Sequence, residues 1–242
     1  MIFWQNHCPK LFPWNMIFWR FMSGKISLCC IFRTVILLIS GSRKTLKKRK
    51  MNTIVSGNIN KALFVDRDGV INREKDYVCR VEDFEFIAGV MEALKKVAVL
   101  GYKIIVISNQ AGIARGYYSE EDFHRITEWM RGEFRKKGVE VTDVYYDPTH
   151  PEYGTGKYKR VSARRKPAPG MILDAVRDHR INLQQSALVG DKLTDIEAGR
   201  RAGVKHLFLV RTGHPFRDEE VPAGVKIVED LREVAEKLKN IE

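Results

Sequence analysis

Beyond residue 50 the sequence has almost no cysteine. Three of the four cysteines lie in the first fifty residues, and only Cys79 remains in the rest of the chain. A domain with one cysteine cannot form internal disulfides or a cysteine-rich zinc site. Scarce cysteine is also typical of proteins that work in a reducing compartment, so we predict a cytoplasmic location.

Acidic residues are absent from the first fifty positions, which contain ten lysines and arginines. The rest of the chain is nearly balanced, with 32 basic and 30 acidic residues, although the formal net charge of the whole is +12. A nucleic-acid partner inferred from the overall charge would therefore depend on the first fifth of the sequence alone. We expect no nucleic-acid partner.

The same segment lacks an apolar run long enough for a membrane span. Its best stretch, residues 26–40, contains Arg33, whereas a bilayer crossing needs about 20 mostly apolar residues and a central arginine costs roughly 2.5 kcal/mol or more. No small-residue cleavage site follows it, as a signal peptide would require. We predict that residues 1–50 are an extension outside the folded domain, that translation begins at Met51, and that residues 51–242 form one domain. A membrane is then expected as a partner only if the extension is retained.

Apolar strands and helical patterns alternate from residue 61 onward, with no internal repeat and no low-complexity linker. Short apolar runs predict five strands, and apolar residues at helical spacing predict five helices. The predicted strands are residues 61–65, 104–107, 141–146, 187–189 and 207–210, and the predicted helices are residues 90–100, 119–137, 169–179, 194–202 and 231–239. This alternation predicts an α/β fold, a three-layer, Rossmann-like parallel sheet with helices on both faces.

Polar side chains stand where three of these strands end. Asp66 and Asp68 follow the first strand in LFVDRDGVIN, Ser108 and Asn109 follow the second, and Asp191 follows the fourth. In open α/β sheets, ligands bind at the carboxyl ends of the strands. We therefore expect these side chains to gather at one edge of the sheet.

Carboxylates that lie so close together repel one another, and a divalent cation relieves the repulsion. Oxygen ligands without a supporting histidine or cysteine favour a hard ion such as magnesium. Magnesium in turn suits phosphate, whose charge a lysine and a hydroxyl can help to neutralise. Lys166 is the candidate lysine, in RRKPAPGM, where Pro167 and Pro169 stiffen its approach. The pattern indicates phosphoryl transfer.

Other interpretations fit these residues less well. A calcium loop would need a further acid and a glycine where Val70 and Ile71 stand. The segment 154–157 resembles a phosphate-binding loop but lacks its spacing and the Ser or Thr after the lysine. Taken alone, Ser108 fits an ordinary turn and Lys166 an exposed surface lysine. Only their combination favours an active site.

In order along the chain, the motifs DRDG, a strand ending in serine, a downstream lysine and GDKLTD resemble the four motifs of the haloacid dehalogenase (HAD) superfamily of phosphohydrolases. The resemblance implies that Asp66 is the nucleophile, which forms an aspartyl-phosphate, and that Asp68 acts as general acid and then as general base. It implies that Ser108 and Lys166 hold the transferring phosphoryl group. It also implies that Asp66, Asp191 and the backbone carbonyl of Asp68 hold magnesium.

The spacing of the motifs also bears on whether the HAD-like fold that they imply carries a cap domain. The gaps between the motifs are too short for an independent capping domain, which needs roughly 40 residues or more. We therefore expect no separate cap domain, and substrate selection by short loops. Asp195 fits the first turn of its helix and is kept as a possible supporting residue.

Longer segments, among them SNQAGIARGYYSEEDF and YYDPTHP, resemble the heptose 1,7-bisphosphate phosphatases and the related histidinol-phosphate phosphatases. The resemblance implies a small phosphorylated sugar as substrate, a heptose bisphosphate that loses its 7-phosphate, with histidinol phosphate or another small sugar phosphate as the alternative. Paired guanidinium groups suit a second phosphate. By resemblance, the substrate would be bound by Asp76, Tyr77, Asn109, Gln110, Arg115, Arg165 and Lys192.

An alternative from another class is a receiver-like phosphoacceptor module that signals to a partner. Asp68 speaks against it, because a slow phosphoacceptor has no need of an acid two residues after the nucleophile. We expect an enzyme, working as a monomer.

One departure from this subfamily concerns zinc. Its members typically carry a loop of Cys-x-His followed by Cys-x-Cys, and none of these thiolates is present here. His150 is a lone imidazole in the same loop. We therefore predict no structural zinc, and a loop 148–164 that is ordered by local contacts or by substrate. The matching positions are Asp147, Thr149, Ser162 and Arg164.

Overall fold

The structure is a computed structural model, and it describes residues 59–241. The predicted extension over residues 1–50 and the predicted start at Met51 lie outside the described residues. Within residues 59–241, no helix is long and apolar enough to cross a membrane.

Six parallel strands form one sheet in the part of the chain that the structure describes. They are β1 (Lys61–Val65), β2 (Tyr102–Asn109), β3 (Val141–Asp147), β4 (Ala187–Gly190), β5 (His206–Val210) and β6 (Val225–Val228). Their order is β3-β2-β1-β4-β5-β6, so the direction of winding reverses between β1 and β4. Ligands bind at such a switch point in open α/β sheets.

Helices cover both faces of this sheet. They are α1 (Val90–Val99), α2 (Ala111–Ala114), α3 (Glu120–Lys136), α4 (Gly170–His179), α5 (Leu193–Ala202) and α6 (Leu231–Lys239). On one face Leu63 and Val65 of β1 belong to a core with α1, α3 and α6, and on the other Ala62 and Phe64 pack in a core with α4 and α5. Both sides of a strand are therefore apolar, which explains the continuous apolar run that precedes Asp66. The predicted three-layer α/β fold is confirmed.

One strand and one helix were not predicted, and β2 extends two residues beyond its predicted range at each end. β6 has only four residues and includes Lys226, while α2 is a single turn, so neither gives a clear periodic signal. β2 extends from Tyr102 to Asn109, so that Ser108 and Asn109 are its last two residues and do not follow it. Among residues 59–241, the segment between β1 and β2 holds only a loop, a short 3-10 turn and α1, so no cap domain is inserted there.

The loop after β3 is anchored to the start of α3 by one carboxylate. Glu120 accepts hydrogen bonds from the hydroxyls of Tyr158 (2.6 Å) and Tyr146 (2.7 Å), and Lys157 Nζ lies 3.1 Å from it. The hydroxyl of Tyr158, followed by that of Tyr146, lowers the pKa of Glu120 to about 2. These contacts hold the loop against the start of α3.

Because the pKa of Glu120 is lower in the folded chain than its usual value of 4.5, its stabilisation is present above pH 4.5 and is lost as the pH falls towards 2. We expect Glu120→Gln to lower the free energy of unfolding by about 1 kcal/mol at neutral pH, discounted because the group is partly exposed. The difference from the native chain should shrink steadily between about pH 4.5 and pH 3. Urea unfolding over this pH range measures it. The matched control is Glu121→Gln, because Glu121 lies in the same helical turn and is exposed. If the difference in unfolding free energy between Glu120→Gln and the native chain did not change with pH, the prediction would be contradicted.

Candidate active site

A cavity of about 360 Å³ opens at the carboxyl ends of the strands. Its wall contains most of the residues that the sequence predicted, together with several that it did not. The predicted members are Asp66, Asp68, Asp76, Tyr77, Ser108, Asn109, Gln110, Arg165, Lys166 and Lys192, together with Asp195, which was kept as a supporting residue; the others include Glu74, Tyr118, Thr194 and His214. Two predicted residues are not part of this wall: Asp191 is buried, and Arg115 packs against tyrosines.

Asp66 stands at the end of β1 beside the switch point. Its backbone N–H donates to the carbonyl of Val189 (3.0 Å), which continues the pairing of β1 with β4 beyond the last strand residue. The carboxylate is nearly buried, and its Oδ1 accepts from Lys166 Nζ (2.8 Å) and from the backbone N–H of Arg67 (2.8 Å). The strand thus fixes both the place and the direction of this side chain.

Lys166 is buried, although it belongs to a loop. Its ammonium group donates to Asp66 and to the carbonyl of Ile107 (3.0 Å), and it lies 2.6 Å from Asp195 Oδ1. Burial alone would lower the pKa of Lys166, but Asp195 and Asp66 raise it above its ordinary value. The group therefore carries a fixed positive charge at the cavity floor.

The side chain of Asn109 clamps the backbone of Lys166. Its Oδ1 accepts from the Lys166 N–H (3.0 Å), and its Nδ2 donates to the Lys166 carbonyl (3.0 Å). Since the amide is engaged in this way, Asn109 connects β2 to the loop that supplies the lysine. Sequence reasoning predicted it as a substrate ligand, and the structure shows how it aligns Lys166.

Asp68 is surrounded by hydrogen-bond donors. Its carboxylate accepts from the guanidinium of Arg67 (2.9 and 3.1 Å), from Asn72 Nδ2 (3.0 Å) and from Gln110 Nε2 (3.3 Å). Gln110 Nε2 also donates to Ser108 Oγ (2.7 Å), and the hydroxyl of Tyr118 donates to Gln110 Oε1. Gln110 therefore orients both Ser108 and Asp68.

A cluster of three buried carboxylates beside the cavity, those of Asp66, Asp191 and Asp195, fits a hard metal ion. One oxygen from each lies within 4.8 Å of the others. Asp191 Oδ2 accepts from the backbone and the ring of His214 (3.0 and 2.7 Å), whereas its Oδ1 is buried without a hydrogen-bond partner. An unpaired buried carboxylate oxygen is costly unless a cation binds it.

The electrostatics of this cluster favour the same conclusion. Burial, together with the charges of Asp195 and Asp191, raises the pKa of Asp66 well above its usual value, although Lys166 opposes the shift. A divalent cation among these oxygens would stabilise the ionised form. An all-oxygen donor set of this kind suits Mg²⁺.

Glycine is required where the chain crosses Asp191. Gly69 has a φ of +85°, and a Cβ atom there would lie 2.4 Å from Asp191 Oδ2. This close approach lets the loop after β1 pass directly over the carboxylate that follows β4.

Sequence reasoning did not single out Glu74 or His214. Glu74 Oε2 lies 3.6 Å from Lys192 Nζ and 3.9 Å from His214 Nδ1. Burial and the charge of Asp68 raise the pKa of Glu74. His214 could have been found, because it follows β5 at the same edge of the sheet that pointed to the other residues.

Aromatic rings and two arginines form the rim of the cavity. The Arg115 guanidinium lies 3.7 Å from the ring centroid of Tyr153 and 5.9 Å from that of Tyr77. Arg165 Nη1 donates to the backbone carbonyl of Thr149 (3.0 Å). Burial, with a smaller contribution from the charge of Arg115, lowers the pKa of Arg165, although Asp147 and Tyr77 oppose the shift. Asp76 and Tyr77 have left-handed φ values of 51° and 64°. Such strain in non-glycine residues is typical of functional loops.

Several known phosphatases are similar to this chain. A family model described as HAD-hydrolase-like matches residues 163–234. The D-glycero-alpha-D-manno-heptose-1,7-bisphosphate 7-phosphatase of Burkholderia mallei is 53% identical over 151 residues, which are 62% of this chain and 80% of the relative. The D-glycero-beta-D-manno-heptose-1,7-bisphosphate 7-phosphatase of Photorhabdus laumondii is 41% identical over 180 residues, 74% of this chain and 96% of the relative.

A solved structure is also similar. The D,D-heptose 1,7-bisphosphate phosphatase from B. bronchiseptica, crystallised with magnesium and phosphate, matches with a TM-score of 0.67 and 30% sequence identity. The match covers 75% of this chain and 99% of that one. The predicted resemblance to HAD phosphatases is confirmed.

Proposed function

This chain belongs to the HAD-like family of heptose-1,7-bisphosphate 7-phosphatases, and on that premise we propose that it removes the 7-phosphate of a D-glycero-D-manno-heptose 1,7-bisphosphate with the help of magnesium. The observation that carries the proposal is that Asp66 and Lys166, which line one cavity, lie beside the buried carboxylate of Asp191. These three residues combine a nucleophile, a metal ligand and a fixed positive charge, the three requirements of phosphoryl transfer through an aspartyl-phosphate.

Magnesium would be held by Asp66, Asp191 and the backbone carbonyl of Asp68. When bound, the ion supplies positive charge that offsets the charge developing on the phosphoryl oxygens. The proposed reaction does not require zinc.

In the first half of the reaction, a carboxylate oxygen of Asp66 attacks phosphorus and the bond from phosphorus to the sugar oxygen breaks. The carboxyl group of Asp68 gives its proton to that leaving oxygen. Lys166 and Ser108 hold the phosphoryl group during the transfer, Lys166 by charge and Ser108 by its hydroxyl. The product of this half is an aspartyl-phosphate on Asp66 and a free sugar hydroxyl.

In the second half, Asp68 takes a proton from water, which attacks phosphorus and releases phosphate from Asp66. The guanidinium of Arg67, whose Nη2 lies 2.9 Å from Asp68 Oδ2, holds this side chain in place for the step. The proton that Asp68 gains is the one that it gives to the next leaving group, so protons balance over each cycle.

A second phosphate would lie against the cationic rim. Arg165 and Lys192 line the cavity, and Arg115 stands behind Tyr77 and Tyr153. Guanidinium groups bind phosphate through paired hydrogen bonds, so two of them suit a bisphosphate better than a simple monoester. Asp76 and Tyr77 on the strained loop, with Asn109 and Gln110 behind them, would fix the sugar.

The substrate is tested by comparing kcat/KM for both anomers of the heptose bisphosphate with kcat/KM for histidinol phosphate, at saturating magnesium. We expect at least about a hundredfold preference for a bisphosphate anomer, the equivalent of two charge-assisted hydrogen bonds to the second phosphate. Equal or faster turnover of histidinol phosphate would contradict the substrate proposal and favour the alternative.

We also propose that the chain works as a monomer in the cytoplasm and that translation begins at Met51. The single cysteine beyond residue 50 supports the cytoplasmic location. Sedimentation of the purified protein and N-terminal sequencing of the natively expressed protein check the two parts. A dimer, or a native N-terminus before Met51, would contradict them.

A further inference from the structure

Asp147 is a buried carboxylate for which the proposed reaction has no use. It is the last residue of β3 and is 2% exposed. Its Oδ1 accepts from the backbone N–H of Thr149 (2.8 Å) and from the Thr149 hydroxyl (2.5 Å), and its Oδ2 accepts from the hydroxyl of Ser162 (2.5 Å). We call these three residues the Asp147 cluster.

The cluster joins the two ends of the loop between β3 and α4. Thr149 lies at the start of the loop and Ser162 near its end, and Ser162 Oγ also accepts from the N–H of Arg164 (3.1 Å). Hydrogen bonds to an ionised acceptor are about twice as strong as neutral ones, and burial strengthens them further. One carboxylate therefore closes the base of the whole loop.

The cluster also touches the rim of the cavity. The carbonyl of Thr149 accepts from Arg165 Nη1 (3.0 Å), and the carbonyl of Asp147 accepts from the N–H of Gln110 (2.8 Å). Thr149 is held by Asp147 on one side and holds Arg165 on the other. A displacement of Thr149 would therefore move the acceptor of the guanidinium that lines the cavity.

The donor set of the cluster does not fit zinc. It offers one carboxylate and two hydroxyls, and both hydroxyls already donate to that carboxylate. A structural zinc site is built from thiolate and imidazole. His150, the only imidazole in the loop, accepts at Nδ1 from the N–H groups of Glu152 (3.1 Å) and Tyr153 (3.2 Å).

We propose that Asp147 is a positioning residue, which holds Arg165 in place for substrate through Thr149 and does so without a metal ion. The part that concerns substrate rests on the proposed function, because it takes Arg165 as a ligand of the second phosphate. The part that concerns the loop does not depend on it.

The kinetic test replaces Asp147 by alanine and by asparagine in the full chain. For the heptose bisphosphate, we expect Asp147→Ala to raise KM about tenfold while kcat stays within about twofold, since one charge-assisted contact is misplaced and the reacting groups are not. Asp147→Asn should recover part of the loss, because its amide oxygen still accepts from Thr149. KM for p-nitrophenyl phosphate, which has no second phosphate, should not change.

The control is Asp143→Ala, on the same strand. Asp143 is 43% exposed at its side chain and pairs with His179, away from the loop. A double-mutant cycle with Arg165→Ala separates positioning from general stability. If Asp147 acts through Arg165, Asp147→Ala adds nothing once Arg165 is removed, whereas independent effects on KM would multiply and overturn the proposed link.

The loop is tested separately by hydrogen exchange on residues 148–165. Asp147→Ala should speed exchange there, and Asp143→Ala should not. In the native chain, treatment with a strong zinc chelator followed by return of magnesium should leave the protection unchanged. Unchanged exchange in Asp147→Ala, stoichiometric zinc in the purified protein, or loss of protection after chelation would each overturn the proposal. If the native chain shows no preference for a bisphosphate, the proposed function fails, and this exchange measurement still decides the role of Asp147 in the loop.

Discussion

Replacing Asp66 by asparagine should abolish turnover and leave the fold intact. The amide has almost the shape of the carboxylate but is no nucleophile, so we expect kcat to fall at least about 10⁴-fold, as for the loss of other covalent nucleophiles. The structure explains why folding should survive. Lys166 keeps Asp195 as a partner at 2.6 Å, and the crowding by Asp191 that raises the pKa of Asp66 is relieved.

The measurement is kcat at saturating magnesium together with urea unfolding without the metal. We expect the midpoint of unfolding to be unchanged or raised, because a buried negative charge is removed from a group of three. Asp143→Asn is the matched control, and it should keep both kcat and the midpoint. More than about one per cent of native turnover in Asp66→Asn would refute the role proposed for this residue, since asparagine cannot form the acyl phosphate.

Replacing Asp191 by asparagine should raise the magnesium concentration needed for half-maximal activity at least about a hundredfold, since even residues that only orient a metal ligand are worth 10–100-fold in affinity. Asp191 Oδ1 is buried and unpaired in the described residues, while Oδ2 is held by His214. The oxygen without a partner is therefore the one that we assign to the metal. An amide in its place can still accept from His214, which should preserve the fold.

This prediction is checked by magnesium titration of turnover in the native chain and in Asp191→Asn. The native enzyme should lose activity in excess chelator and regain it when magnesium is returned. His214→Ala serves as the graded control, because it removes a hydrogen bond to Asp191 but leaves both oxygens of that carboxylate in place, and its effect should be smaller. An unchanged magnesium requirement in Asp191→Asn, or turnover that persists in excess chelator, would be incompatible with the assignment.

Most of what the sequence predicted about the site came from the residues that follow the ends of the strands. Apolar runs locate the ends of β1 and β4, and parallel pairing brings those ends together, so Asp66 and Asp191 could be predicted to meet before any coordinates were known. Lys166 could be placed only by resemblance, because a loop residue has no periodic signal. Its burial comes from the clamp that Asn109 forms on its backbone.

The spacing of residues along the chain does not reveal which of the site's side chains form hydrogen bonds with one another. Asn109 and Gln110 were predicted to bind substrate, yet their amides are largely engaged by Lys166, Ser108 and Asp68. Arg115 was placed in the site, yet the structure sets it behind tyrosine rings at the rim. Such competition between neighbours depends on distances between residues far apart in sequence, and no local pattern encodes it.

In the loop between β3 and α4, one contact of Asp147 could have been predicted from the sequence and another could not. The loss of cysteines predicted that no zinc would order it, but not what would. The segment Asp147-Pro148-Thr149 is a recognisable turn sequence, in which an aspartate side chain accepts from the N–H two residues later. Its second partner, Ser162, lies fifteen residues further on and needed the fold to be found.

Phosphorus NMR of the native chain with each anomer of the heptose 1,7-bisphosphate tests the proposed function most directly. We predict that in the presence of magnesium the signal of the phosphate ester at carbon 7 disappears as inorganic phosphate grows, while the phosphate at carbon 1 remains. Without magnesium neither signal should change. Release of the phosphate at carbon 1, or no release from either anomer, would contradict the proposed function.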